Sequence, residues 1–111
     1  MTLTEIADRI GLKVLAGTAG LGREATGGYA GDLLSDVMAH SQAGQVWITL
    51  QGHLNVVAVA VLRELSGIII TGGREPAADT LAKAEAEGLP LLQSELSAFE
   101  LCGRLHRLLY P

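Results

Sequence analysis

A three-layer α/β/α sandwich around a mostly parallel sheet is the fold class that this 111-residue sequence predicts, and three observations carry the prediction. The segments Val46–Leu50, Ile68–Thr71 and Leu89–Gln93 are apolar almost throughout instead of alternating, the pattern of strands covered on both faces. Stretches with helical periodicity separate them, as crossover connections between parallel strands require. Hydrophobic residues make up 49% of the chain, enough apolar surface to offset the entropy of ordering one domain spanning residues 1–111.

In chain order, Thr2 and Glu5 form a capping box for a helix whose stripe is Leu3, Ile6, Ala7 and Ile10, with Gly11 closing it. Leu12–Ala16 is a short strand. Gly17–Gly31 reads as a flexible glycine-rich loop, and Asp32 as the N-cap of a helix burying Leu33, Leu34, Val37 and Met38. Val46–Leu50 is the clearest strand, rich in β-branched and aromatic residues. Asn55 is expected to cap a helix over Val56–Leu65 that is buried all round, inside the monomer or against a second copy. After the strand at Ile68, Pro76 opens a helix that Gly88 ends. Ser97–Leu109 is the last helix, with Phe99, Leu101, Cys102, Leu105, Leu108 and Leu109 as its apolar face.

A net charge of −4 with no run of Lys or Arg argues against nucleic-acid binding, which needs clustered positive charge facing phosphate. The longest apolar stretch, Val56–Leu62, is far short of the ~20 residues that span a bilayer, so no membrane partner is expected. A lone Cys102 and the absence of a signal-peptide pattern point to a reducing cytoplasm.

Ligands of open parallel sheets bind beyond the carboxyl ends of the strands, where loops converge and helix N-termini present free N–H groups. That rule selects Thr49, Gln51, His53 and Asn55 after one strand, Thr71, Gly72, Gly73 and Arg74 after the next, and Gln93 and Ser94 after the third. In Thr71–Pro76, two glycines allow close backbone approach and Arg74 can pair bidentately with phosphate or carboxylate. The plainer reading is that loops are polar, that Asn55 and Glu75 only cap helices, and that Arg74 is solvated. Gly17–Gly31 lacks the Gly-Lys-Ser/Thr of a phosphate loop and the spacing of a dinucleotide fingerprint, so phosphoryl transfer is unsupported and no cofactor is expected. Asp32, Asp36 and His40 have a spacing that metal ligands use, but a cap plus a solvated face accounts for them, and no metal site is expected. His53 sits in a loop with no nucleophile or carboxylate visibly paired with it, so catalysis by it is the weaker reading. Trp47 reads as core or interface, His106 as surface and Cys102 as a packing thiol.

Ile10–Gly17, Gly27–Ala39, Val46–Gln51 with His53 and Asn55, Ile69–Pro76 and Leu96–Leu101 together resemble the DRTGG domain family, in particular its small stand-alone members labelled HPr-kinase-like. The literal pentad of the family name is absent, and Thr71-Gly72-Gly73 is its nearest counterpart. The resemblance implies a fold like the N-terminal domain of HPr kinase/phosphorylase, usually dimeric, found elsewhere fused to CBS domains, pyrophosphatase or phosphate acetyltransferase. It also implies, from gene neighbourhoods near iron-only hydrogenases, a protein partner in redox metabolism. It supplies no catalytic residues, because the kinase's phosphate loop belongs to a separate domain. The expected function is a non-catalytic regulatory or ligand-sensing homodimer that binds a small anionic metabolite or nucleotide at the sheet's carboxyl edge. The alternatives are a structural dimerisation module without ligand and a small enzyme using His53 as acid or base.

Overall fold

A computed structural model describes residues 1–111. Its elements are α1 (Leu3–Ile10), β1 (Lys13–Ala16), a 3-10 turn (Thr18–Gly20), β2 (Gly27–Ala30), α2 (Leu34–His40), β3 (Gln45–Thr49), α3 (Asn55–Leu62), β4 (Gly67–Ile70), α4 (Ala78–Glu87), β5 (Leu91–Gln93) and α5 (Ala98–Leu109). The five strands form one sheet in the order β1-β5-β4-β3-β2. β2, β3, β4 and β5 pair in parallel and β1 runs antiparallel to β5, so the predicted mostly parallel α/β/α sandwich holds.

Alternate residues of each strand point to opposite faces, and this builds two cores. Trp47, Ile68, Ile70 and Leu91 meet Val37 of α2, Val56, Val57 and Ala60 of α3 and Ala84 of α4. Val46, Ile48, Ile69 and Leu92 meet Leu3, Ile6 and Ala7 of α1 and Leu101 and Leu105 of α5. Trp47 is fully buried, and its indole N–H donates to the Gly31 carbonyl at 2.8 Å, which places it in the core.

Several expectations change. The glycine-rich segment contains a strand, β2, which has no β-branched residue and is glycine at positions where α5 lies close. A Cβ on Gly28 would stand 3.3 Å from the Leu105 side chain, and one on Gly27 would stand 3.1 Å from the Tyr110 hydroxyl. Asp32 does not cap α2: the N-cap is Leu33, with no side-chain bond, because the Asp32 carboxylate turns to β3 instead. Of the apolar residues expected inside, Val37 is fully buried and Leu33 is 68% exposed. Asn55 is the first helical residue of α3 and caps nothing; the helix stops at Leu62, and a left-handed Glu64 turns the chain back into the core at Leu65. Of the two ways α3 was expected to be buried all round, burial inside the monomer does not occur, since Val61 is 42% and Leu62 69% exposed. α4 starts at Ala78, two residues after Pro76, because Pro76 packs against Gly52, where a Cβ would meet its Cα at 2.9 Å. Phe99 points outward and is 89% exposed. The capping box at Thr2 and the left-handed Gly11 and Gly88 at helix ends form as the sequence predicts, while Ser97, expected as the first residue of the last helix, is its N-cap.

Candidate functional site

The carboxyl ends of β2, β3, β4 and β5 open on one edge of the sheet, and their loops are tied to one another. Asp32, just past β2, accepts from the Thr49 hydroxyl at 2.9 Å and from the Leu50 backbone N–H at 2.8 Å. The Gln51 amide donates to the Asp32 carbonyl at 3.2 Å. Across the next gap, the Gly52 carbonyl accepts from the Thr80 hydroxyl at 2.8 Å and from the Ala77 N–H at 3.0 Å, which fixes the β3–α3 loop to the start of α4. Gln93, at the end of β5, donates its side-chain amide to the Arg74 carbonyl at 2.8 Å and to a Glu75 carboxylate oxygen at 3.2 Å. Thr71 donates its hydroxyl to the Leu96 carbonyl at 2.7 Å.

These ties decide which predicted site residues remain free for a ligand. Thr49 and Thr71 are buried and their hydroxyls are committed, so both are braces. Gly72 and Gly73 take positive φ, the reason for glycine there, yet their N–H groups already donate to the Leu96 and Ser94 carbonyls at 2.8 Å. The expected cradle of free backbone N–H groups is therefore closed. Above Gly73 lies the Glu95 carboxylate, which a Cβ would meet at 2.5 Å.

Gln51, His53, Asn55 and Arg74 are exposed. The Arg74 guanidinium has no hydrogen bond or ion pair, although its own backbone carbonyl is held by Gln93. His53 Nδ1 accepts from the Asn55 N–H at 3.1 Å, so the neutral ring carries its proton on Nε2 and presents a donor. The structure pairs His53 with no carboxylate or nucleophile. The Asn55 amide is unengaged as well. The edge thus offers His53 Nε2 and the unengaged side chains of Asn55 and Arg74 beside Gln51, one of whose amide hydrogens is tied to the Asp32 carbonyl, with the carboxylates of Asp32 and Glu75 already partly occupied by protein donors.

Glu75, expected as a cap, and Gln93 form a clamp for the Arg74 loop that residue type alone did not reveal. Asp32 was also missed as a site member, since its role follows from β2, which the sequence concealed. Away from this edge, Asp36 accepts from the Tyr29 hydroxyl at 2.5 Å and from His40 Nδ1 at 3.1 Å. The bond to Asp36 is the main reason the Tyr29 phenol is pushed above its ordinary pKa. Asp32 lies before α2, so it does not share a face with Asp36 and His40. Cys102 is half-buried at α5, and desolvation raises its thiol pKa.

The DRTGG domain family matches the chain over residues 5–108. The chain belongs to the DRTGG domain family. A solved structure similar to it is that of the CBS and DRTGG domains of the regulatory region of Clostridium perfringens pyrophosphatase, in complex with the activator diadenosine tetraphosphate. The match has a TM-score of 0.71 at 16% sequence identity and covers 94% of this chain and 45% of that one. This DRTGG chain therefore spans under half of that structure, and the likeness is one of fold. Comparison with curated proteins finds no match. No helix of this DRTGG domain is long and apolar enough to cross a membrane.

Proposed function

We propose that this DRTGG domain is a non-catalytic, ligand-sensing regulatory module whose carboxyl edge binds a small anionic metabolite of the nucleotide class. One observation carries the reading: the Arg74 loop is immobilised by Gln93, Ser94 and Leu96 while the guanidinium itself has no protein partner. A fixed base with a free fork of donors suits bidentate pairing with phosphate, because little of the loop remains to be ordered on binding. Gln51, Asn55 and His53 Nε2 supply further donors along the same edge. Thr49, Thr71, Gly72 and Gly73 belong to the site as its frame. The activator of the C. perfringens pyrophosphatase region is a dinucleotide polyphosphate, which supports a nucleotide as the class to test first.

The test is thermal denaturation of the wild type and Arg74→Ala with ATP, ADP and diadenosine tetraphosphate. A ligand at ten times its Kd stabilises the wild type by about 1.4 kcal/mol. Arg74→Ala should lose most of that shift, whereas equal shifts in both proteins sink the assignment.

A second reading, dimerisation without a ligand, is favoured by Val61 and Leu62, which α3 leaves uncovered. It predicts no nucleotide shift and a melting temperature that rises with protein concentration. A homodimer in a reducing cytoplasm, contacting a protein of redox metabolism, is compatible with either reading.

A further inference from the structure

Eight basic residues serve the whole chain, whose net charge is −4, yet three of them line a single cavity far from Arg74 in the sequence. The cavity, of about 160 Å³, lies between the C-terminal parts of α1 and α5 and is lined by Arg9, Arg104 and Arg107 with Ile10 and Leu108. Acidic compensation is thin. Glu100 meets Arg104 at 3.3 Å, both half-exposed, and no carboxylate lies within ion-pairing distance of Arg9 or Arg107. Glu5, one turn before Arg9, feels its charge but is hydrogen-bonded to the Thr2 cap. Arg9 and Arg107 each stand in the last turn of a helix, where they offset the partial negative charge of the helix end. That role is local to each end. It does not call for a shared depression with a third guanidinium, and although water screens the three exposed side chains from one another, their free N–H groups all border the same open space.

We infer that the α1–α5 cavity is a second anion site, distinct from the Arg74 edge, that takes a compact phosphate-class dianion or polyanion. A guanidinium can clasp two phosphate oxygens at once, and the partly buried Ile10 and Leu108 form the floor between the three exposed arginines. The inference does not depend on the reading of the carboxyl edge.

The test uses inorganic pyrophosphate with four proteins: wild type, Arg74→Ala, the double variant Arg104→Ala/Arg107→Ala, and Arg104→Lys/Arg107→Lys. Pyrophosphate at ten times Kd should raise the melting temperature of the wild type and of Arg74→Ala by about 5 °C or more. The double alanine variant should lose the shift, and the double lysine variant, which keeps charge without the planar fork, should retain part of it. The site is overturned if the double alanine variant retains the wild-type shift, if the shift disappears only in Arg74→Ala, or if the wild type shows none at 10 mM, roughly the weak limit of specific affinity. Poly-L-glutamate is the control for ligand class. A shift with it that the double alanine variant lacks, when pyrophosphate gives none, replaces a phosphate ligand with an acidic polypeptide and overturns the inference as stated.

Discussion

Asp32 shows how one side chain sets the shape of the candidate edge. Its carboxylate accepts from both the Thr49 hydroxyl and the Leu50 N–H, and so closes the gap between the ends of β2 and β3. Because Thr49 is buried, Asp32→Ala leaves its O–H without an acceptor, while its oxygen still accepts from the Gln51 N–H at 3.1 Å, and frees the first residues of the β3–α3 loop. We expect a loss of about 1–3 kcal/mol, the desolvation cost of an orphaned polar group, measured as a lower urea midpoint. Asp32→Asn keeps an acceptor oxygen and should recover much of the difference. An unchanged midpoint for Asp32→Ala would show that the pairing contributes nothing. The sequence could not assign this role, since an Asp before a helical stripe is also the commonest form of an N-cap.

At the scale of elements, α3 separates what periodicity reveals from what it conceals. Five of its eight residues are Val or Leu, so composition marks it as buried but cannot say which side faces solvent. The structure buries Val56, Val57 and Ala60 against the sheet and leaves Val61 and Leu62 outside. Val57→Ala should therefore cost about 2 kcal/mol through lost burial and the cavity it leaves. Leu62→Ala should stay within about 0.5 kcal/mol at low micromolar concentration, as exposed positions do. Chemical denaturation of both variants checks the contrast, and equal losses would mean that another surface covers Leu62. The same divide runs through the other elements. β3, β4 and β5 were legible because short apolar runs such as the β-branched Ile68-Ile69-Ile70, bounded by glycine, suit strands buried on both faces. β2 was not, because Gly27 and Gly28 answer to α5 and Tyr110, contacts that exist only after folding. The Thr71–Arg74 segment was legible as a strand-to-helix junction, whereas the commitment of its glycine N–H groups to Ser94 and Leu96 depends on β5 lying alongside.

For the molecule as a whole, the perturbed groups define a pH window of stability. The Glu5 carboxyl is held below its ordinary value of 4.5, first by the Thr2 backbone N–H and then by the Thr2 side chain. A lowered folded pKa means that its contribution is present above the unfolded value and disappears as the pH falls through the folded one. Cys102 and Tyr29 act in the opposite direction. Burial raises the thiol from 9.0, and the hydrogen bond to Asp36 is the largest cause raising the phenol from 10.0. Both therefore favour the folded state below those values, and that contribution is lost as each ionises at higher pH. The Met1 ammonium, raised from 8.0 chiefly by its bond to Glu24, loses its contribution in the same direction, so urea midpoints measured across pH should be flat from about pH 5 to 8 and should fall on both sides. Beyond the Met1 part, the alkaline limb should contain two parts that separate by mutation. Cys102→Ala should remove the part that begins near pH 9, and Tyr29→Phe the part that begins near pH 10, even though loss of the Asp36 bond lowers the Tyr29→Phe midpoint throughout. Neither substitution should alter the acid limb, because Thr2 and Glu5 lie at the start of α1 and touch neither residue. An alkaline limb that survives the Cys102→Ala/Tyr29→Phe double variant unchanged would show that other groups govern the high-pH side.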